Sequence, residues 1–255
     1  MSELTRFTLI AIIIFLTHFQ EGVTGFGCTV LALPFIALLV GLKTAVPVLF
    51  LQAWVLTGYI VLVARKDIVW KEYWRILAIA GLGFPFGLFL RERTPETELK
   101  WVLAAFMVLI GIQGMFRYFM RPTLKENGSR TMKWLSATLL PIGGFIHGAF
   151  GSGGPLIVIY ATKVLANKSL FRVTLCLVFF TLNCLLVTQW ALSSAPKDEV
   201  LRLTAFCMPF NLVGMVIGNW AHHRMDELLF RRMIYTVLFL AGIALMLSVV
   251  LRVGK

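Results

Sequence analysis

The sequence predicts an all-α integral membrane protein: about eight hydrophobic segments in two related, inverted four-segment repeats, each opening with a glycine-broken helix pair. Three observations predict it. The 255 residues are 59% apolar and 14% charged, against about half and about a quarter in soluble domains, and the mean hydropathy is +0.86. Charged residues fall between long apolar runs, each long enough to approach the ~20 residues a crossing helix needs. One glycine-rich pattern occurs twice, once near the start of each half.

The runs cover residues 7–41, 45–64, 76–90, 101–116, 134–162, 173–193, 203–220 and 233–251. Each is expected to be helical, because lipid offers no partner for unpaired backbone groups. The first run would be about 52 Å long as one helix at 1.5 Å per residue, far more than a hydrocarbon core of about 30 Å. It carries a Gly-rich break at its middle, and so does the fifth run. Glycine frees the backbone there, so each run is expected to form two shorter helices meeting at a non-helical turn. Irregular backbone at that depth is tolerated where it is buried or lines a cavity. The remaining runs read as single spans. The polar stretch Arg121-Pro122-Thr123-Leu124-Lys125-Glu126-Asn127-Gly128-Ser129-Arg130 divides the chain into a first repeat (1–120), a linker (121–132) and a second repeat (133–255).

Gly22-Val23-Thr24-Gly25-Phe26-Gly27 aligns with Gly148-Ala149-Phe150-Gly151-Ser152-Gly153 at an offset of 126, from Gly22 to Gly148. Gly83 and Gly87 align with Gly214 and Gly218 at an offset of 131. Duplication of this kind is typical of transporters; these latter glycines read better as close helix contacts. Charge tests the path. If every run crosses once, the 24 basic residues divide 14 against 10; if runs one and five fold back at their breaks, they divide 9 against 15. The positive-inside rule favours the larger bias, which puts both termini outside the cytoplasm and inverts one repeat relative to the other.

The net charge of +12 suggests nucleic acid in a soluble protein, but polar surface is scarce here, so no nucleic-acid partner is expected. Arg6 and the following apolar run resemble a signal peptide, yet no small-residue cleavage site follows, and the segment reads as retained. Cys28, Cys176, Cys184 and Cys207 all lie in apolar stretches and read as small buried hydrophobes.

Of the 12 acidic residues, only Glu21 sits deep between apolar runs. An ionisable group within a membrane is a functional candidate by default; capping of a backbone amide at the break is its structural alternative. Glu21 is a candidate proton carrier, and the repeat offset pairs it with His147, a candidate relay. Helices starting after Gly27 and Gly153 would present free N–H groups and partial positive charge to an anion. Gly25, Phe26, Gly27, Gly151, Gly153 and Gly154 shape those breaks, Ser152 adds a hydroxyl, and Gln20 offers donors and acceptors. Pro155 suits the first turn of a helix. Arg172 either reaches inward as a cation or snorkels outward. Asn183 and Gln52 either line the path or tie helices together, and His18 reads as structural. Enzyme signatures fail: Phe150 stands where a nucleophile elbow needs Gly, Gly22-x-x-Gly25-x-Gly27 has the wrong order for a dinucleotide loop, and His222-His223 lacks metal-ligand spacing. No catalytic or metal-binding residue is assigned.

Gln20-Glu21-Gly22-Val23-Thr24-Gly25-Phe26-Gly27, followed by Leu31-Ala32-Leu33-Pro34, resembles the first-half motif of the TauE/SafE sulfite exporter family. His147-Gly148-Ala149-Phe150-Gly151-Ser152-Gly153-Gly154-Pro155-Leu156, with Tyr160 and Arg172-x-Thr174-Leu175, is similar to its second-half motif. Glu21 departs from the pattern, at a position where a small residue is expected. The resemblance spans nearly the whole chain. It implies secondary transport of small anions such as sulfite, sulfoacetate or other sulfonates, with no cofactor.

The expected partners are therefore a small anion, protons and the lipid bilayer of a plasma membrane, in a bacterium the inner membrane. The expected function is secondary anion transport coupled to protons through Glu21. The alternatives are an uncoupled anion channel and a membrane assembly subunit without transport.

Overall fold

The computed structural model describes residues 2–24, 26–120, 136–165, 167–193, 195, 197–221 and 227–253. The linker at 121–132, Gly25 and the His222-His223 pair lie outside the described residues. The described residues form ten α-helices: α1 (Glu3–Thr24), α2 (Cys28–Val40), α3 (Leu42–Ala64), α4 (Trp70–Arg93), α5 (Glu96–Met115), α6 (Leu139–Phe150), α7 (Gly154–Val164), α8 (Lys168–Leu192), α9 (Asp198–Ala221) and α10 (Glu227–Val253). Six of them, α1, α3, α4, α5, α8 and α9, are long and apolar enough to cross a membrane.

The first and fifth apolar runs each divide into two helices at the glycine break. Gly27 ends the first break with φ 98°, and Gly151 opens the second with φ 66°. These left-handed conformations disfavour residues with a Cβ. Gly41, between α2 and α3, has φ 77°. There the chain turns against α5, where the Leu42 N–H donates to Glu96 Oε1 at 3.1 Å.

Three pairs of helices make the broadest contacts: α1 with α9, α4 with α6, and α5 with α10, while α3 lies along α8. Glycines permit the closest of these approaches. A Cβ on Gly22 would stand 2.7 Å from the Met215 carbonyl oxygen and 2.9 Å from Gly218 Cα. Added Cβ atoms on Gly83, Gly87, Gly144 and Gly148 would overlap carbonyl oxygens across the α4–α6 contact, those of Pro141, Phe145, Ala80 and Phe84 respectively. Small residues allow backbones in lipid to gain dispersion contact where no hydrophobic force draws helices together.

Side-chain ties show which helix ends lie together. Arg6 meets Glu199 at 3.1 Å, so α1 and α9 start on the same side. Arg91 at the end of α4 donates to Gln189 near the end of α8. At the other end, the Val69 N–H donates to Thr174 in the first half of α8 at 3.0 Å, and Arg172 reaches Asn219 near the end of α9 at 2.6 Å. Outward-facing Leu62, Leu82, Phe86, Leu109 and Val216 are exposed. In water such an apolar surface would drive aggregation; against lipid it is the expected covering.

Candidate functional site

The two glycine breaks meet at the centre of the bundle around a cavity of about 30 Å³. Its walls bring Glu21, Gly27, Cys28 and Thr29 from the first break together with His147, Gly151, Ser152 and Gly154 from the second. Phe179 and Asn183 of α8 close one side. Contact between the breaks is direct: a Cβ on Gly151 would stand 3.9 Å from the Thr29 methyl group and 3.6 Å from Phe50 Cβ. Residues more than a hundred positions apart in the chain thus share one space.

Glu21 is 3% exposed, His147 2% and Ser152 2%. Glu21 Oε2, His147 Nδ1 and Ser152 Oγ are buried without a hydrogen-bond partner among the described residues. Leaving such a group unpaired costs roughly 1–3 kcal/mol, so three around one cavity mark a place where a ligand or water completes the bonding. A volume of this size accommodates about one or two water molecules.

Glu21 and His147 each have a positioning contact. The Glu21 carboxyl accepts from the backbone N–H and the thiol of Cys28, at the start of α2. The positive end of the α2 dipole points at this carboxyl group. His147 Nε2 donates to Asn183 Oδ1 at 3.2 Å, and its ring stacks on Phe179 with centroids 5.7 Å apart. The Gly151 N–H donates to the His147 carbonyl at 2.7 Å, closing the end of α6. Gly27 and Gly153 stand at the N-cap positions of α2 and α7 and bring no capping side chain of their own, and Pro155 is in the first turn of α7.

Of the remaining sequence candidates, Asn183 alone lines this cavity. Gln20 donates through Nε2 to the Phe26 carbonyl at 2.9 Å and so bridges the first break. Phe26 packs edge-on against Phe171, with centroids 6.2 Å apart. Gly153 lies close against the Gly143 carbonyl, where a Cβ would overlap it. Arg172 lines a separate cavity of about 250 Å³ with Asp67, Ser169 and Asn219. His18 is fully buried and its Nδ1 bonds the Ile14 carbonyl at 2.8 Å. Gln52 ties helices together: it donates to the Thr204 carbonyl at 2.9 Å and its Oε1 accepts from Asn211 at 2.7 Å. Asn183 lines the site. Among the described residues, no group of three or more His, Cys, Asp or Glu side chains gathers to hold a metal ion.

Cys28, Thr29 and Phe179 were not identifiable as site residues from sequence. An apolar-looking CTV start to a helix and a phenylalanine in an apolar run carry no signal of their own. The position of Cys28 and Thr29 directly after the Gly27 turn was the available clue.

A larger cavity of about 510 Å³ lies toward the ends of α4 and α8. Phe50 and Phe150 line it. Both are fully buried, and each adjoins the central cavity, Phe50 through its contact with Gly151 and Phe150 through the chain. Trp190 packs edge-on against Phe50, with centroids 6.3 Å apart. All three aromatic residues line the larger cavity, and Phe50 and Phe150 adjoin the second glycine break.

A family model described as sulfite exporter TauE/SafE matches residues 10–245 of the 255-residue chain. No curated protein and no solved structure matches it.

Proposed function

Since the chain belongs to the sulfite exporter TauE/SafE family, we propose that it is a secondary transporter of small anions, such as sulfite, sulfoacetate or other organosulfonates, that carries them between the two glycine breaks. The observation that carries this proposal is the convergence of three unpartnered buried polar atoms, on Glu21, His147 and Ser152, at one central cavity. In its present form the cavity has room for water alone. Binding a sulfonate therefore requires the two helix pairs, α1–α2 and α6–α7, to part.

The contact between Glu21 and Cys28 suggests how protons couple to the anion. The Glu21 carboxyl group occupies the start of α2, where an anionic substrate would gain most from the helix N-terminus, and when ionised it competes with that substrate. Two negative charges at one desolvated position repel strongly. Substrate enters when Glu21 is protonated, so anion and proton move together. His147, fixed by Asn183, is the proton's partner across the cavity, and Ser152 donates to the anion.

Two inverted repeats supply the alternating access. Contacts within the bundle support this arrangement. The α1–α9 pair corresponds to α6–α4, and α3–α8 and α5–α10 each join a helix to its counterpart. The glycine contacts correspond residue by residue. Gly22 meets Met215, and Gly148 meets Phe84; Gly214 meets Phe15, and Gly83 meets Pro141; Gly218 meets Phe19, and Gly87 meets Phe145. The offsets of 126 and 131 carry the first member of every pair onto the second. By the basic-residue bias, the larger cavity faces away from the cytoplasm of the plasma membrane.

Glu21→Gln in proteoliposomes tests the coupling. Uptake driven by a pH gradient should be lost while anion exchange persists. Unchanged pH-driven accumulation overturns the role of Glu21. Flux in the wild type that never accumulates substrate against its gradient would indicate a channel, and absence of any flux an assembly subunit.

A further inference from the structure

The 510 Å³ cavity holds two donors that nothing in the central site uses. Arg91, in the last turn of α4, donates through Nη2 to Gln189 Oε1 at 2.5 Å. Its Nη1 is buried without a partner, and so is Nε1 of Trp190 on α8. Both residues line the cavity, and Trp190 is only 8% exposed. An unmade hydrogen bond from a guanidinium costs more than one from a neutral group, and the guanidinium fork matches an oxyanion.

The charges around this space leave Arg91 available. Gln189 stands between Arg91 and Glu92, accepting from the first and donating to the second at 2.5 Å. Glu96 is held by Lys100 at 2.6 Å, and Glu199 by Arg6 at 3.1 Å. Every carboxylate of the cavity thus has its own donor. Arg91 makes no ion pair among the described residues.

We propose that this cavity contains a second anion subsite, in which Arg91 Nη1 and Trp190 Nε1 bind one sulfonate or similar small oxyanion. The subsite lies on the outer face of the Phe50–Phe150–Trp190 ring cluster and collects the anion before, or after, passage through the centre. The opposite cavity has a matching feature. Arg172 is tied by the carboxamide of Asn219, and its Nε is likewise buried without a partner.

The test uses full-length protein carrying fluorotryptophan, with the Trp190 fluorine resonance assigned by its disappearance in Trp190→Phe. Titration with sodium methanesulfonate should move that resonance, and sodium chloride at equal concentration should not. Arg91→Gln should raise the apparent Kd about tenfold or more. Arg91→Lys, which keeps the charge but loses the fork, should fall between and carries the comparison if Arg91→Gln does not fold. Ser152→Ala, in the central cavity, should leave the Kd within about twofold. The proposal fails if the resonance does not move, if chloride moves it equally, or if the Arg91 variants titrate as wild type. It also fails if Ser152→Ala abolishes the shift, since the signal would then come from the central site. A failure of transport coupling through Glu21 leaves this titration unaffected.

Discussion

Gly22→Ala reports on whether the helix contact beside Glu21 is as tight as the geometry states. The new Cβ would stand 2.7 Å from the Met215 carbonyl oxygen, 2.9 Å from the Asn219 nitrogen and 2.9 Å from Gly218 Cα. All three are backbone atoms of α9, so no side chain can rotate away. Relief to an ordinary contact needs α9 to move by about 0.7 Å, and such overpacking costs about 1–3 kcal/mol. Alanine also raises helix propensity by about 1 kcal/mol over glycine, which offsets part of that cost. Gly81→Ala removes the ambiguity: a Cβ there has nothing within 4 Å, so that variant gains propensity without overpacking. Thermal unfolding in one detergent should place Gly22→Ala below Gly81→Ala by about 2–12 °C, taking roughly 2–4 °C per kcal/mol for a chain of this size. Equal melting temperatures, or a higher one for Gly22→Ala, would refute the close α1–α9 contact. Because Gly22 adjoins Glu21, the displacement should also slow anion flux.

Asn211→Ala strands the Gln52 carboxamide between α3 and α9. It should lower stability by about 1–2 kcal/mol, and a double-mutant cycle with Gln52→Ala should return a positive coupling of about 0.6 kcal/mol or more. Asn183→Leu removes the acceptor that orients His147 and should cut proton-coupled flux in proteoliposomes by about tenfold, with unchanged elution on size exclusion. Tyr160→Phe detaches α7 from Glu72, whose Oε2 accepts from the Tyr160 hydroxyl at 3.0 Å. Faster hydrogen exchange confined to α7 is the expected readout.

Much of the helix pattern was legible because lipid restricts backbone so severely. The break at Gly25–Gly27 appeared in sequence as glycines inside a run too long for one crossing, and the described ends at Thr24 and Cys28 match that position. Glu21 was legible for a related reason: an ionisable side chain within a membrane is a functional candidate by default. Its hydrogen bond to Cys28 caps the start of α2, so one side chain both caps that helix and stands at the proposed proton site. The division of labour between Gln20 and Asn183 was not legible. One polar side chain bridges a turn and the other lines the cavity, and only the positions of Phe26 and His147 distinguish them. Arg91 was hidden as well, because an arginine at a helix end is indistinguishable in sequence from an ordinary loop charge.

By itself the sequence determined the class of solvent, the positions of the helices and breaks, and the family. Each follows from local composition or a contiguous motif. Only the tertiary structure decided which residues face one another. It closed one cavity around Glu21, Cys28 and Ser152, set Arg91 and Trp190 on another, and gave Arg172 to a separate one. These meetings depend on how glycine surfaces let α1 dock on α9 and α6 on α4. Such docking is fixed by close contact between segments far apart in the chain, and no local pattern encodes it.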